Sequence, residues 1–500
     1  MTESQGTKSI TGLPDTTKIA DLQSQPSEGV TAWDGRLWAM LIVLCSAMFL
    51  DALDNAMVGI AVPPIQAELG MSTSSVQWVV SAYLLGFGGF LLLGGRMADL
   101  IGRRRVLLVA VGVFAVASLV GGLAENGVLV IVARFVMGAS AAFSAPAGLA
   151  IIVTMFPEGA PRNRAVSIYT ACGAVGFSLG LVAGGLLTEI GWRWTFFVPV
   201  PIALIVLLGA SILVPRDADS GTTNRSFDLP GAVSITAAML LLVYTIVEAP
   251  RVGWTAAPTI AQFTVVVLLV MAFVMIERRT KQPLLRLDFL RNRALIGAAL
   301  TAAAILGTYL SFQFIAALYL QALRGWSPLE MALAFLPGGI LIALIAPRAG
   351  RLIGRFGPAW IMFIGFVSYT AAYGLFLRID ETSDYLTVIL PTMLLIGIAF
   401  PLSFTGAYVQ ATTGVADAEQ GLAAGVLQTG YQVGAALVLA VVTATLAIGD
   451  AASSGAADTL SSYRNGMYVV TAISAFTMVA TLISAARGAA RRGTRSMLSG

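Results

Sequence analysis

Apolar runs about twenty residues long, broken by short polar turns, repeat along almost the whole chain. A helix rises about 1.5 Å per residue, so about 20 apolar residues cross the hydrocarbon of a bilayer. The pattern places spans near 37–62, 76–95, 106–124, 128–155, 164–188, 195–214, 229–248, 258–276, 294–321, 329–349, 359–377, 385–410, 421–447 and 466–486. These fourteen segments predict an all-α integral membrane protein with both termini on one side. Residues 1–35 are polar and lack an apolar h-region, so they read as a disordered cytoplasmic tail and not as a cleaved signal.

Composition sharpens this picture. Charged residues make up 11% of the chain, against about 25% in a soluble domain. The 30 Lys and Arg fall mostly between the apolar runs, which removes any case for a nucleic-acid surface. With the tails placed in the cytoplasm, 24 of the 30 lie on that side, five lie opposite, and Arg134 sits inside a span. Such a bias orients a multi-pass protein of the cytoplasmic membrane.

An internal echo suggests a repeat. GRMADLIG begins at Gly95 and GRLIGRFG at Gly350, each in the turn after a span, with eight spans between them. The expected organisation is therefore six, two and six helices. It comprises the tail at 1–35, a bundle at 36–214, a linker with two extra spans at 215–293, a second bundle at 294–487, and a basic cytoplasmic tail at 488–500. Repeated bundles enclosing a midplane site are a common build of secondary transporters.

Charges inside a span are costly, about 2.5–3.5 kcal/mol each on insertion scales, so they mark function by default. FLDALDNAM, from Phe49, holds two acids, Asp51 and Asp54. The chain has no histidine, so proton chemistry near neutral pH falls to carboxylates. Counted from the outer span ends, Asp54 and Arg134 lie at depths of about 13 and 9 Å and can meet if helices 1 and 4 are neighbours. Such a pair is either a static pin or a working proton site, in which burial favours the neutral acid and the guanidinium the charged one. Asp51, one turn before Asp54, is open between a second proton site, a contact for cationic substrate, and a group facing cavity water. Tyr309, Phe312 and Gln313 share one face of helix 9, which suits a large, flat, partly apolar ligand or simply a packed interface. Two cysteines in apolar runs imply neither a disulfide framework nor a metal site. There is no nucleophile–base set and no GxxxxGK[ST] phosphate loop, so neither an enzyme nor an ATP-driven pump is expected.

Several motifs agree with a known family. LDNAMVGIAVP from Leu53, GGRMADLIGRRR from Gly94, LVIVARFVMGASAA from Leu129, GFSLGLVAGG from Gly176, WRWTFF from Trp192 and GLAAG from Gly421 occur in order. Over roughly residues 36–487 the chain resembles the major facilitator superfamily, specifically its fourteen-helix drug:proton antiporter branch of multidrug efflux transporters. The resemblance implies proton-driven efflux of amphiphilic small molecules by alternating access. It implies no cofactor, no metal and a monomer in the bilayer. It gives Asp54 and Arg134 a proton-coupling role. It makes Asp99, with Gly95, Gly102 and Arg103, an inner-gate latch. It makes Gly176, Gly180, Gly184 and Gly185 a smooth seam on helix 5, which close helix packing explains equally well. Met137 stands where the pattern usually has Gln, a place near substrate. Leu181 replaces a proline, Ala56 and Gly59 replace Thr and Asn, and Pro199 often is Asn, so the inner surfaces are less polar than the pattern. A proton symporter, a narrow-specificity metabolite exporter and a non-transporting membrane sensor are the alternatives on the same fold.

Overall fold

A computed structural model describes residues 33–157, 160–216, 229–280, 292–413, 415, 420–450 and 456–498. Most of the predicted N-terminal tail and parts of the 215–293 linker lie outside the described residues. Among those described there is no strand.

The helices, with short end turns merged, are α1 Gly35–Glu68, α2 Thr73–Ile101, α3 Arg103–Gly122, α4 Gly127–Met155, α5 Ala160–Ile190, α6 Trp194–Leu213 and α7 Leu229–Val252. They continue as α8 Ala257–Arg279, α9 Arg293–Leu323, α10 Pro328–Phe356, α11 Pro358–Phe376, α12 Tyr385–Thr412, α13 Gln420–Asp450 and α14 Ala456–Leu498. Among the described residues, 12 helices are long and apolar enough to cross a membrane. In α5 and α7 the apolar stretches are shorter, Val175–Ile190 and Pro230–Ile246. The basic C-terminal tail is a continuation of α14.

Local chemistry sets the ends. Ser72, Asn126 and Asn292 accept backbone N–H groups at the starts of α2, α4 and α9, and Ser327 with Glu330 forms a capping box on α10. Two turns need glycine: Gly102 joins α2 to α3 at φ 108°, and Gly357 joins α10 to α11 at φ 87°. These are the closing glycines of the two echoed segments.

The packing repeats with an offset of eight helices. In the first half α1 packs on α5 and α6, α2 on α4, and α3 on α4 and α6. In the second α9 packs on α13 and α14, α10 on α12, and α11 on α12 and α14. The halves meet through α2 with α13 and α5 with α10, a reciprocal pair of contacts. The α7–α8 hairpin lies against α2 and α13 through α7. Below, the tail end is the end of the bundle where α1 begins, and the distal end is where α1 turns into α2.

α1 differs from the expected span. The apolar run stops at 62, before Pro63 and Pro64, but the helix runs through both to Glu68. Tertiary packing carries it past residues that would end an isolated helix.

Candidate functional site

Asp54 and Arg134 meet. Arg134 Nη1 donates to Asp54 Oδ2 at 2.5 Å, and both side chains are 0% exposed. α4 presents Arg134 at this point because α2 and α4 approach unusually closely. Gly138 lies on the Tyr83 backbone, Gly86 on that of Phe135, and Gly94 on that of Ala142, with no room for a Cβ. The same approach supplies further partners. Arg134 Nε donates to the Val79 carbonyl at 3.0 Å, and its guanidinium lies 4.4 Å from the Tyr83 ring centre. Asp54 Oδ1 and Arg134 Nη2 are buried without a hydrogen-bond partner. Isolated in hydrocarbon either charge is prohibitive, so each is the other's condition for being there. The pair nevertheless leaves one acceptor and one donor atom unused.

The depth estimate needs correction for α1. Asp54 is fourteen residues before Glu68, about 21 Å, and Arg134 is seven after Gly127, about 10 Å. They still meet because α1 reaches beyond the start of α4. Asp51 is half-buried and accepts a hydrogen bond from Ser144 Oγ of α4 at 3.3 Å.

The helix-5 glycines face α1. A Cβ on Gly176 would lie 2.6 Å from the Phe49 carbonyl oxygen, one on Gly180 2.6 Å from that of Leu53, and one on Gly184 2.8 Å from Met57 Cα. These three therefore bind α5 to α1 inside the first half, on the turns that flank Asp54. Gly185 alone looks across to the second half, against Ala332, Leu329 and the Pro328 carbonyl of α10.

Of the latch residues, the Asp99 side chain lies outside the described residues. Gly95 packs near Pro146, and Gly102 makes the turn described above. Arg103 Nη1 donates to the Ala150 carbonyl near the end of α4 at 3.1 Å, and Arg104 Nη2 to the Ser211 carbonyl of α6 at 2.6 Å. Both bonds stay within the first six helices and suit the negative ends of helix dipoles.

Tyr309 and Phe312 line a small cavity between the halves, together with Leu181, Phe335, Met393 and Ile396. Rings extend from it in two directions: Phe177, Tyr309, Phe400, Phe404 and Tyr431 make one chain, and Phe312, Phe376 and Tyr373 a cluster. Gln313 turns instead toward α1, and Met137 is fully buried away from the cavity lining. Gln432 of α13 packs against Gly88 of α2, across the two halves. Sequence reasoning did not single out Phe335, Met393 or Ile396. Each is an ordinary apolar residue on a helix, and only the repeat offset would have drawn attention to them.

Comparison with known proteins fits this geometry. The sequence model of the Major Facilitator Superfamily matches residues 44–439. The chain is 39% identical over 427 residues to a puromycin resistance protein of Streptomyces alboniger, covering 84% of each. It is 33% identical over 461 residues to a cephamycin export protein of Amycolatopsis lactamdurans, covering 91% of this chain and 94% of that one. It is 31% identical over 425 residues to a tetracenomycin C resistance and export protein of Streptomyces glaucescens, covering 83% and 77%. Among solved structures, a peptide-bound POT family transporter superposes with TM-score 0.68 at 14% identity, covering 93% of this chain and 99% of that one. A D-xylose-proton symporter does so with TM-score 0.62 at 15% identity, covering 89% and 97%. The protein is thus a multi-pass membrane transporter of small molecules, not an enzyme, and the chain belongs to the Major Facilitator Superfamily.

Proposed function

We propose that this transporter exports amphiphilic, antibiotic-like small molecules in exchange for protons that enter through Asp54. The observation that carries the reading is the fully buried Asp54–Arg134 pair with one unbonded atom on each partner. A buried acid that is held by one bond can exchange a proton when movement alters its separation from the guanidinium or its access to water. Asp51 stands beside it on α1, bonded to Ser144, as a second titratable group. In this reading the small cavity lined by Tyr309, Phe312 and Leu181 widens into an apolar, flat-walled place for substrate when the halves rearrange.

In this reading all fourteen helices span the bacterial cytoplasmic membrane as two six-helix bundles with α7 and α8 inserted. Both termini are cytoplasmic, Asp99 latches the inner gate, and a monomer works without cofactor. The relatives named for single antibiotics support a narrow substrate range, and a multidrug resistance protein of Mycobacterium tuberculosis, 30% identical over 408 residues, supports a broad one.

The test is expression in an efflux-deficient bacterium with a compound panel, followed by vesicle transport of the hits under an imposed pH gradient. Asp54→Asn is expected to abolish the response to the gradient, and Asp51→Asn to weaken it. Undiminished gradient-driven movement in Asp54→Asn would refute the coupling role.

A further inference from the structure

The proline pair of α1 has a structural consequence. Proline has no N–H, so Pro63 and Pro64 leave the carbonyls four residues earlier, on Gly59 and Ile60, without helical donors. That polar edge lies in the distal part of α1, where α9 of the second half packs. α9 widens here into a π turn, Leu318–Leu323. From that turn Gln321 Nε2 donates to the Ile60 carbonyl at 2.9 Å. The bond crosses between the two halves and uses an acceptor that an unbroken helix would have consumed.

A second amide sits nearby. Gln313, about two turns earlier on α9, lies over Gly59: a Cβ there would fall 2.6 Å from Gln313 Nε2. Gln313 is 2% exposed, and its Nε2 has no hydrogen-bond partner. The distal ends of α5 and α10 also touch, with Gly185 against Ala332 and the Pro328 carbonyl. Among the described residues the distal end is thus closed by small-residue packing, with the Gln321–Ile60 hydrogen bond made between the halves and the Gln313 amide nitrogen without a partner.

We infer that Gln321 is the clamp that holds the distal end closed, that Pro64 creates the acceptor it grips, and that Gln313 opposes it. The Gln321–Ile60 bond exists only while the halves touch. It therefore stabilises the closed state selectively, and a state-selective contact is what shifts a two-state equilibrium. Once the halves part, water satisfies both groups. The buried Nε2 of Gln313 works the other way, since it regains partners only on opening. The opposition keeps the gate near balance, as a cycle that must pass both ways requires.

The inference rests on the alternating-access reading, but its test needs neither substrate nor proton gradient, so a failed coupling role leaves it standing. The probe is a single cysteine, Leu181→Cys, in full-length protein with Cys45→Ser and Cys172→Ser. The readout is its rate of reaction with a membrane-impermeant maleimide added from the distal side. Gln321→Met keeps the volume and removes the amide, and should raise the rate about threefold to tenfold, the scale of one net hydrogen bond. Pro64→Ala returns a helical donor to Ile60 and should raise the rate similarly, with no further gain when combined with Gln321→Met. Gln313→Met should lower it. Complete labelling by a permeant maleimide confirms folded protein in each case. An unchanged rate in Gln321→Met, or effects of Gln321→Met and Pro64→Ala that multiply, would overturn the clamp. A higher rate in Gln313→Met would overturn the opposing role.

Discussion

In the first half α5 grips α1 through Gly176, Gly180 and Gly184, which sit on Phe49, Leu53 and Met57. In the second half α13 grips α9 the same way, with Gly430 on Ala299, Gly434 on Ala303, and Gly307 under Val438. Matching these rungs sets Asp54 against Ala304. The α2–α4 and α10–α12 crossings match equally well, with Gly138 on Tyr83 and Gly397 on Gly338. That register sets Tyr83 against Gly338 and Arg134 against Met393. One half fills the shared position with an acid, a guanidinium and a phenol. The other holds alanine, methionine and glycine there, and Gly338 and Met393 line the apolar cavity. The scaffold is therefore carried by small residues at helix crossings, common to both halves. Three side chains differ without disturbing it, so one repeat holds the buried ion pair and the other the apolar cavity lining.

The sharpest way to break this comparison is to give the first half the residues of the second. Arg134→Met alone strands a buried carboxylate and should cost about 3–5 kcal/mol of stability. Asp54→Ala combined with Arg134→Met removes both charges and should recover most of that loss, because an apolar filling of similar volume suits the same crossing. Transport should be absent in both variants. Thermal unfolding in detergent separates the outcomes: a double variant as unstable as Arg134→Met would mean that the pair's position is not interchangeable between the halves.

A smaller effect sharpens the division between scaffold and chemistry. Gly180→Ala and Gly430→Ala each place a Cβ 2.6 Å from a carbonyl oxygen, of Leu53 and Ala299 respectively. The overpacking should cost each variant about 1–3 kcal/mol, and the two losses should be alike. Only Gly180→Ala pushes on the residue next to Asp54. Its transport should change its dependence on pH, whereas Gly430→Ala should keep the wild-type profile. Equal pH profiles would show that the seam and the Asp54–Arg134 pair are not linked.

The legible part of this molecule was what hydrocarbon dictates. Apolar runs gave the helices, Gly95 and Gly350 gave the repeat, and the rarity of intramembrane charge drew attention to Asp54 and Arg134 before any geometry placed them together. What escaped was decided by contact across helices. Pro63 and Pro64 look like a helix end, and only packing against neighbouring helices shows that α1 continues. The glycines of α5 have the right period for a sliding face, but period does not say which neighbour they meet. Three of them meet α1 of their own half, and only Gly185 meets the other. Gln313 belonged on paper with Tyr309 and Phe312. All three lie on the regular helical stretch Arg293–Ala317, and the small residue at Gly59 of α1 gives Gln313 a different neighbour. Apolar lining residues such as Phe335 and Ile396 carry no mark in a chain that is 57% hydrophobic.

The distal caps offer the finest contrast. In each half an arginine near the last helix donates to a carbonyl just past the third: Arg193 Nη2 to Ala124 at 3.2 Å, and Arg464 Nε to Ile379 at 3.1 Å. The first half adds an acid to its arginine, since Glu68 also binds Arg193 and accepts from Trp192 Nε1 at 2.7 Å. The second half spends its acid on its own turn. Asp380 Oδ1 accepts from Thr382 N at 2.8 Å and from Ser383 Oγ at 3.1 Å. The Thr382 N–H first, and then the Ser383 hydroxyl, hold the exposed Asp380 carboxyl below the usual aspartate range. A carboxyl depressed in the folded state stabilises above its unfolded pKa and loses that contribution as pH falls through its folded value. Asp380→Asn should therefore lower the unfolding temperature slightly, less than any change above, by a constant amount at neutral pH. The gap to wild type should close as pH drops below about 4, the ordinary aspartate value. A gap that persisted unchanged into acid would mean that the turn depends on side-chain shape and not on the carboxylate's charge, and the two caps would then differ in geometry alone.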